Sequence, residues 1–432
     1  MYLWDPTHSS FNRAETQISK NNVTTLAPAW TFATRAVFAA APTIVDGIAY
    51  VGDWSGTFYA IDTNSGNPIW SQYVGVSPAP ADPECSPAVG ISGQAVLKDG
   101  VVYVPGGDSA VYALNAATGS QFWRVQLADP EGGSYLWSSL TLVNNSLFIG
   151  VASLGDCPVV RGALVRIDLN DPQAPAFAYM ESQDALGAGI WSTPAFDQAT
   201  NTVFITTGNG DSDPAAGNWG GAMMALDAAT LRPKASYLLP AYTNDEDLDW
   251  GSSPTLFQSA DRTPLIAATG KDGILYCLRR DTLSPQWTVQ LAVGCVSPEQ
   301  GCGSISTPAF DGSTLYVGAG NPDMNGDSNG SLYAIRPSDG QVLWTRGLPE
   351  PVLAPVTVAN GLVYASTLSG LVIFDSQTGD PLWSDGFRGP LFSQPVVLDG
   401  VVYSTYATGE MVAWRLLDSS ASPSVRIPPQ RR

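Results

Sequence analysis

The chain has 432 residues, with 20 Lys and Arg against 39 Asp and Glu, a formal net charge of −19. A surface of that sign repels a phosphate backbone, which excludes nucleic acid as a partner, and no apolar run reaches the length of a membrane-spanning helix, which excludes membrane insertion. Helical periodicity is almost absent, and 43 Gly and 33 Pro punctuate short alternating runs, the composition of an all-β chain.

In chain order, the first strand-forming run is Ala27-Pro28-Ala29-Trp30-Thr31-Phe32, ahead of any repeat. Eight repeat starts follow, 40 to 60 residues apart: Ala41-Pro42, Ser86-Pro87, Ser138-Ser139, Thr193-Pro194, Ser253-Pro254, Thr307-Pro308, Ala354-Pro355 and Gln394-Pro395. Each leads into an alternating run such as Ile44-Val45-Asp46-Gly47-Ile48-Ala49-Tyr50-Val51-Gly52, and most continue to a closing phrase. That phrase reads Ala60, Asp62, Gly66, Trp70 and again Ala113, Asn115, Gly119, Trp123, with partial copies at Ala334, Gly340, Trp344 and at Asp375, Gly379, Trp383. Asp or Asn with Gly supplies a tight turn, and Trp offers a large apolar surface for the wedge between neighbouring units. A period of this length predicts small antiparallel sheets that cannot bury their faces alone. Eight of them arranged radially make an eight-bladed β-propeller of four-stranded antiparallel blades.

The last unit runs from Pro395 through Val401-Val402-Tyr403-Ser404 to Glu410-Met411-Val412-Ala413-Trp414 and lacks a fourth strand. The run over 27–32 supplies it, so the N-terminal strand closes the ring without an open edge. Residues 1–418 then form one domain, and residues 419–432 read as a disordered tail. Of five Cys, Cys295 and Cys302 flank a loop short enough to staple, and Cys85 and Cys157 fall in loops of adjacent blades near one end of the ring. Cys277 lies in the run Ile274-Leu275-Tyr276-Cys277-Leu278 and reads as a buried thiol. Two disulfides and one spare thiol favour an extracytoplasmic location, periplasmic or secreted. No positively charged apolar signal segment precedes Tyr2, the expectation for a mature or trimmed chain.

Segments such as Val51-Gly52-Asp53-Trp54-Ser55-Gly56-Thr57-Phe58-Tyr59-Ala60-Ile61-Asp62 and Lys271-Asp272-Gly273-Ile274-Leu275-Tyr276 resemble the repeats of pyrroloquinoline quinone (PQQ) propellers, over a span from Trp4 to about Leu417. The opening, Trp4 through Asn12-Arg13 to Ile18-Ser19-Lys20-Asn21-Asn22-Val23 and then Leu26 and Trp30, is most similar to quinoprotein alcohol dehydrogenases, polyvinyl alcohol dehydrogenases in particular. The resemblance implies oxidation of alcohols, secondary or polymeric, with PQQ and calcium as cofactors. The sequence has no Cys-x-x-Cys-His for an attached haem, so electrons would pass to a separate acceptor such as a cytochrome c.

Such a site needs an aromatic floor, a divalent cation with oxygen donors, and a base for the hydroxyl proton. Gly189-Ile190-Trp191-Ser192-Thr193-Pro194-Ala195-Phe196-Asp197 resembles the segment with the floor tryptophan, which implies that Trp191 binds the quinone; unlike the blade-closing Trp, it stands just before a strand start. Thr206-Thr207-Gly208-Asn209 resembles the segment whose Asn ligates calcium, although Gly318-Ala319-Gly320-Asn321 repeats the phrase. Asp245-Glu246-Asp247-Leu248-Asp249-Trp250-Gly251-Ser252-Ser253-Pro254 resembles the segment whose last Asp is both catalytic base and metal neighbour, the place of Asp249. Four carboxylates in five residues equally suit a solvated surface loop. Lys271 matches the family's basic residue at the quinone oxygens. The family's calcium Glu would fall near Gly155-Asp156-Cys157, where the shorter Asp156 is the available ligand. The chain also departs from the pattern in having no adjacent Cys pair.

Asn325-Gly326-Asp327-Ser328-Asn329-Gly330 resembles a calcium-loop start, but Arg336 stands where a bidentate Glu is needed, so a hairpin loop is the better reading. His8 is the only His, which excludes multi-His metal centres and counts against a Ser-His-Asp hydrolase. Two functions are compatible with these residues: the quinoprotein dehydrogenase, and a cofactor-free propeller serving as an extracytoplasmic assembly or binding scaffold.

Overall fold

The computed structural model describes residues 2–78, 85, 87–240, 242, 247–295, 300–321 and 328–417. The 419–432 tail, Asp245 and Glu246, and the Asn325 to Asp327 turn lie outside the described residues. Eight antiparallel sheets follow one another along the chain. Blade 1 consists of Thr43–Val45, Ile48–Gly52, Thr57–Asp62 and Pro68–Tyr73 in that order. First strands of most successive blades touch one another and so ring the axis. From blade 2 to blade 8 these are Val96–Lys98, Thr141–Val143, Ala195–Asp197, Thr255–Gln258, Ala309–Phe310, Thr357–Ala359 and Val396–Leu398. Leu26–Ala33 completes blade 8 by pairing with Glu410–Leu416, Phe32 opposite Met411, and thereby closes the ring.

One start falls elsewhere than the sequence predicts. Blade 2 begins not at Ser86-Pro87 but at Val96, entered through Gln94-Ala95. Pro87 belongs to a long inter-blade loop that also carries Cys85, and Pro suits loops as readily as strand starts.

Alternation along the strands explains how the blades pack. In Thr57–Asp62, Phe58 and Ala60 face blade 2, whereas Tyr59 and Ile61 face blade 8. Each blade interface carries its own buried cluster, so the core is a ring of wedges rather than one mass. The closing phrase acts across these interfaces. Trp70 of blade 1 lies over Gly119 of blade 2, Trp287 of blade 5 over Gly340, Trp344 over Gly379, and Trp30 over Gly66. These glycines have φ between +71° and +75°, and a methyl at any of them would come within 2.7 Å of the indole. Glycine is thus required both by the turn and by the ring of the preceding blade. Each indole N–H also donates to the neighbouring turn, as Trp70 Nε1 does to Ala116 O at 3.0 Å.

A second device alternates with blade number. The first residue of the innermost strand is Thr in odd blades, and its hydroxyl donates to the next blade: Thr43 to Ala95 O, Thr141 to Pro194 O, Thr255 to Pro308 O and Thr357 to Pro395 O, at 2.5 to 2.7 Å. Even blades carry Val96, Ala195, Ala309 and Val396 there. The N-terminal segment crosses the inner edges of five blades, which would otherwise present unpaired strand edges. Carbonyls of Pro6, Thr7, Ser9 and Ser10 accept N–H groups of Phe196, Leu256, Phe310 and Val358 at 2.7 to 2.9 Å, Phe11–Asn12 pairs in parallel with Thr357–Ala359, and Asn12 Nδ2 donates to Val397 O.

Cys85–Cys157 and Cys295–Cys302 are disulfides. Cys277 is a buried free thiol, its pKa pushed up by burial. Among the described residues no helix is long and apolar enough to cross a membrane.

Candidate active site

Residues preceding an innermost strand, and the turns that follow second strands, meet around the axis. Two cavities open there. One, of about 410 Å³, is lined by Asp156, Trp191, Asn209, Asp249 and Lys271 together with Trp137, Gly208 and Ile305. All five predicted site residues therefore share one cavity, whereas Asn321, in the repeated phrase of blade 6, is not part of its lining. The other, of about 340 Å³, shares Trp137, Trp191 and Ile305 with the first.

Asp249 is 2% exposed. Its backbone is held by main-chain bonds: Lys271 N donates to Asp249 O at 2.9 Å, and the adjacent Trp250, 1% exposed, donates from Nε1 to Gly221 O. Lys271 Nζ lies 2.9 Å from Asp249 Oδ1 and 2.7 Å from Asp247 Oδ1. It also sits 5.7 Å from the Trp191 ring centroid, within cation–π range. Burial pushes the Asp249 carboxyl up, to about 7; Lys271 pulls it down, while Asp247 and Asp156 push it further up. Burial opposes the Lys271 charge, yet Asp249 and Asp247 hold its pKa above the ordinary value.

Asn209 is placed by a hydroxyl-anchored turn. Thr206 Oγ1 donates to Ser252 O and Thr207 Oγ1 to Trp219 O, and Gly208 N donates to Gly189 O. Asn209 Nδ2 donates to Asp247 Oδ1, which fixes the amide and leaves Asn209 Oδ1 buried without a donor. Asp156 is exposed and precedes Cys157, so the Cys85–Cys157 disulfide is one residue along the chain from the cavity lining.

Several participants are not among the residues predicted. Asp247 bridges Lys271 and Asn209. Trp137, whose Nε1 donates to Ser153 O, occupies in blade 3 the place Trp191 holds in blade 4, a signal present in Trp137-Ser138-Ser139 against Trp191-Ser192-Thr193. Glu181 is 1% exposed, with neither carboxylate oxygen in hydrogen-bonding geometry. Burial raises its pKa to about 8, with Asp211 adding to the rise and the nearby Asp211 N–H and Arg161 reducing it. It lies directly against Gly210, the residue after Asn209.

Fold and cavity together define a propeller with a charged, indole-walled pocket at its axis. Comparison with known proteins places it further. The chain belongs to the PQQ_2 family: the family model, described as outer membrane protein assembly factor BamB, matches residues 13–163 and 328–422, more than half of the chain. It is 26% identical over 351 residues to methanol dehydrogenase [cytochrome c] subunit 1 of Methylobacterium organophilum, covering 64% of this chain and 54% of that protein. It is 23% identical over 380 residues to the polyvinylalcohol dehydrogenase of a Pseudomonas species, covering 76% and 58%. The chain thus spans about half the length of these curated relatives. Among solved structures, a europium-containing methanol dehydrogenase superposes with a TM-score of 0.79 at 18% identity, over 96% of this chain and 97% of that one. At that identity the likeness establishes the fold alone.

Proposed function

We propose that the protein oxidises alcohols, using PQQ and a calcium-class cation held in the cavity that Trp191 and Lys271 line. The observation that carries this reading is the buried Asp249 carboxylate, paired with Lys271 and set near an amide oxygen, Asn209 Oδ1, that is buried without a partner. An orphaned buried acceptor calls for a donor or a cation. Asn209, Asp249 and Asp156 offer hard oxygens of the kind calcium selects.

Bound there, PQQ would accept the C–H hydrogen with both electrons as the alcohol becomes a carbonyl compound, and the cation would polarise the quinone. Asp249 takes the hydroxyl proton. Lys271 opposes the rise that burial imposes on that carboxyl's pKa and presents N–H donors to the cavity, while Trp191 gives a flat apolar wall suited to a tricyclic ring. The alcohols are secondary or polymeric, the two electrons leave to a separate acceptor such as a cytochrome c, and the disulfides suit an extracytoplasmic setting.

Adding calcium and PQQ to the purified chain should produce a protein-bound quinone absorbance and dye-linked alcohol oxidation. Absence of both would overturn the reading. A cofactor-free scaffold is the second reading, favoured by the matched family model's description as an assembly factor and by Lys271, which already ion-pairs with both Asp247 and Asp249.

A further inference from the structure

The 340 Å³ cavity on the axis differs in chemistry from its neighbour, for no charged side chain lines it. Its wall is largely apolar, with Trp54, Trp137, Trp191, Leu353 and Phe392. Its other surface is polar, and comes from residues two positions before an innermost strand: Gln94, Ser139, Thr193, Ser253, Thr307 and Gln394.

Hydrogen bonds between blades fix what these groups still lack. Ser139 Oγ, Thr193 Oγ1, Ser253 Oγ and Thr307 Oγ1 accept the N–H groups of Gln94, Ser139, Thr193 and Ser253, at 2.9, 3.0, 2.9 and 3.2 Å. Ser139 Oγ keeps a proton to donate, whereas the hydroxyls of Thr193, Ser253 and Thr307 converge on the Tyr2 hydroxyl, 3.5 Å from Ser253 Oγ, whose own proton can then turn to a ligand. Gln94 Nε2 is committed to Pro42 O and Thr43 Oγ1, so its Oε1 faces Gln394 Nε2 at 3.3 Å. That orientation leaves Gln394 Oε1, on a residue 5% exposed, buried with no donor.

The surface therefore offers donors at Ser139 and Tyr2, one unmet acceptor and no charge. A hydroxyl group both donates and accepts, and satisfies both needs. An anion would leave Gln394 Oε1 unmet and oppose a chain of net charge −19. A hydrocarbon would cover the indoles but leave every polar group unpaired. Asp249 and Ser253 are four residues apart, so the two cavities' key groups are anchored within about 14 Å of each other along the chain.

We propose that the axial cavity is a second subsite for a polyhydroxylated ligand, a linear polyol or a stretch of hydroxylated polymer, one of whose other hydroxyls reaches Asp249. The link to Asp249 rests on the dehydrogenase reading; the binding subsite stands without it.

Sorbitol and hexanol, equal in carbon number, separate the polar surface from the aromatic wall. Both are titrated into the purified full chain, followed by quenching of tryptophan fluorescence. Sorbitol should bind on the order of tenfold more tightly than hexanol, and Gln394→Leu should weaken sorbitol by roughly three- to tenfold, as for one lost neutral hydrogen bond, without weakening hexanol. Equal binding of the two ligands by the unaltered chain overturns the proposal even if the variant fails to fold, as does sorbitol binding that Gln394→Leu leaves unchanged. If sorbitol binds and responds to Gln394→Leu while the PQQ- and calcium-loaded chain oxidises no alcohol, the subsite stands and the dehydrogenase reading fails. If alcohols are oxidised with no preference for the polyol in binding, the reverse holds.

Discussion

Replacing Gly208 with Ala places a methyl carbon 2.9 Å from Asp249 Oδ2, 3.3 Å from Gly189 O and 3.4 Å from Trp191 Cδ1. The second and third contacts need little adjustment. The first does not fit, and bringing it to ordinary contact moves the carboxylate oxygen by about 0.5 Å. Asp249 is buried and tied to Lys271, so the base itself takes up the displacement. A misplacement of about 1 Å at a reacting centre costs on the order of a hundredfold, and half that distance gives a loss of roughly tenfold in kcat/KM, or about 1.4 kcal/mol of transition-state stabilisation. The fold should survive, because the methyl meets the end of a side chain and no left-handed φ is involved. The assay is dye-linked alcohol oxidation by the PQQ- and calcium-loaded chain, with thermal unfolding as the control. A Gly208→Ala protein of unchanged kcat/KM would refute the claim that the Asp249 carboxylate is the base.

Trp30→Ala should cost about 3–5 kcal/mol in chemical denaturation, since Trp30 lies over Gly66, donates to Thr63 O at 2.8 Å and sits on the strand that closes the ring; a cost under about 1 kcal/mol would contradict its role there. Glu181 supports the folded state in its neutral form: its contribution is complete below its ordinary pKa of 4.5 and declines as pH rises to about 8, by roughly 1.4 kcal/mol per pH unit. Glu181→Gln should therefore flatten the fall in thermal midpoint over that window, and an unaltered slope would count against a buried neutral acid. Thiol titration in denaturant without reductant should find one free group, Cys277, and a count of three or five would contradict the disulfide pairs.

Blade number and ring closure were legible because each depends on local pattern: Pro before an edge strand, alternating runs, and a Gly-to-Trp spacing that survives in several blades. The same dependence on local pattern misplaced the start of blade 2, where Pro87 belongs to a loop and the true entry, Gln94-Ala95, has no Pro. Threading of the N-terminal segment left no trace of that kind. Leu3, Trp4, His8 and Ser10 have positive φ, and the segment is held through its own carbonyls rather than by any side-chain period. Trp191, Asn209, Asp249 and Lys271 stood out by resemblance, and the structure brings them together with Asp156. Asp247 did not stand out, because an acidic run does not reveal which carboxylate turns inward; only the fold shows it between Lys271 and Asn209. Alternation of Thr with apolar residues in the innermost strands is visible in the sequence once the blade starts are aligned, and blade 2 obscured it.

Asp249→Asn bears most directly on the proposed chemistry. An amide keeps the size of the side chain and an oxygen for a cation, but cannot take the hydroxyl proton. The variant loaded with PQQ and calcium should keep the fold and the quinone absorbance of the unaltered protein while losing alcohol oxidation. Oxidation at an undiminished rate by a quinone-bearing Asp249→Asn protein would contradict the assignment of Asp249 as the base.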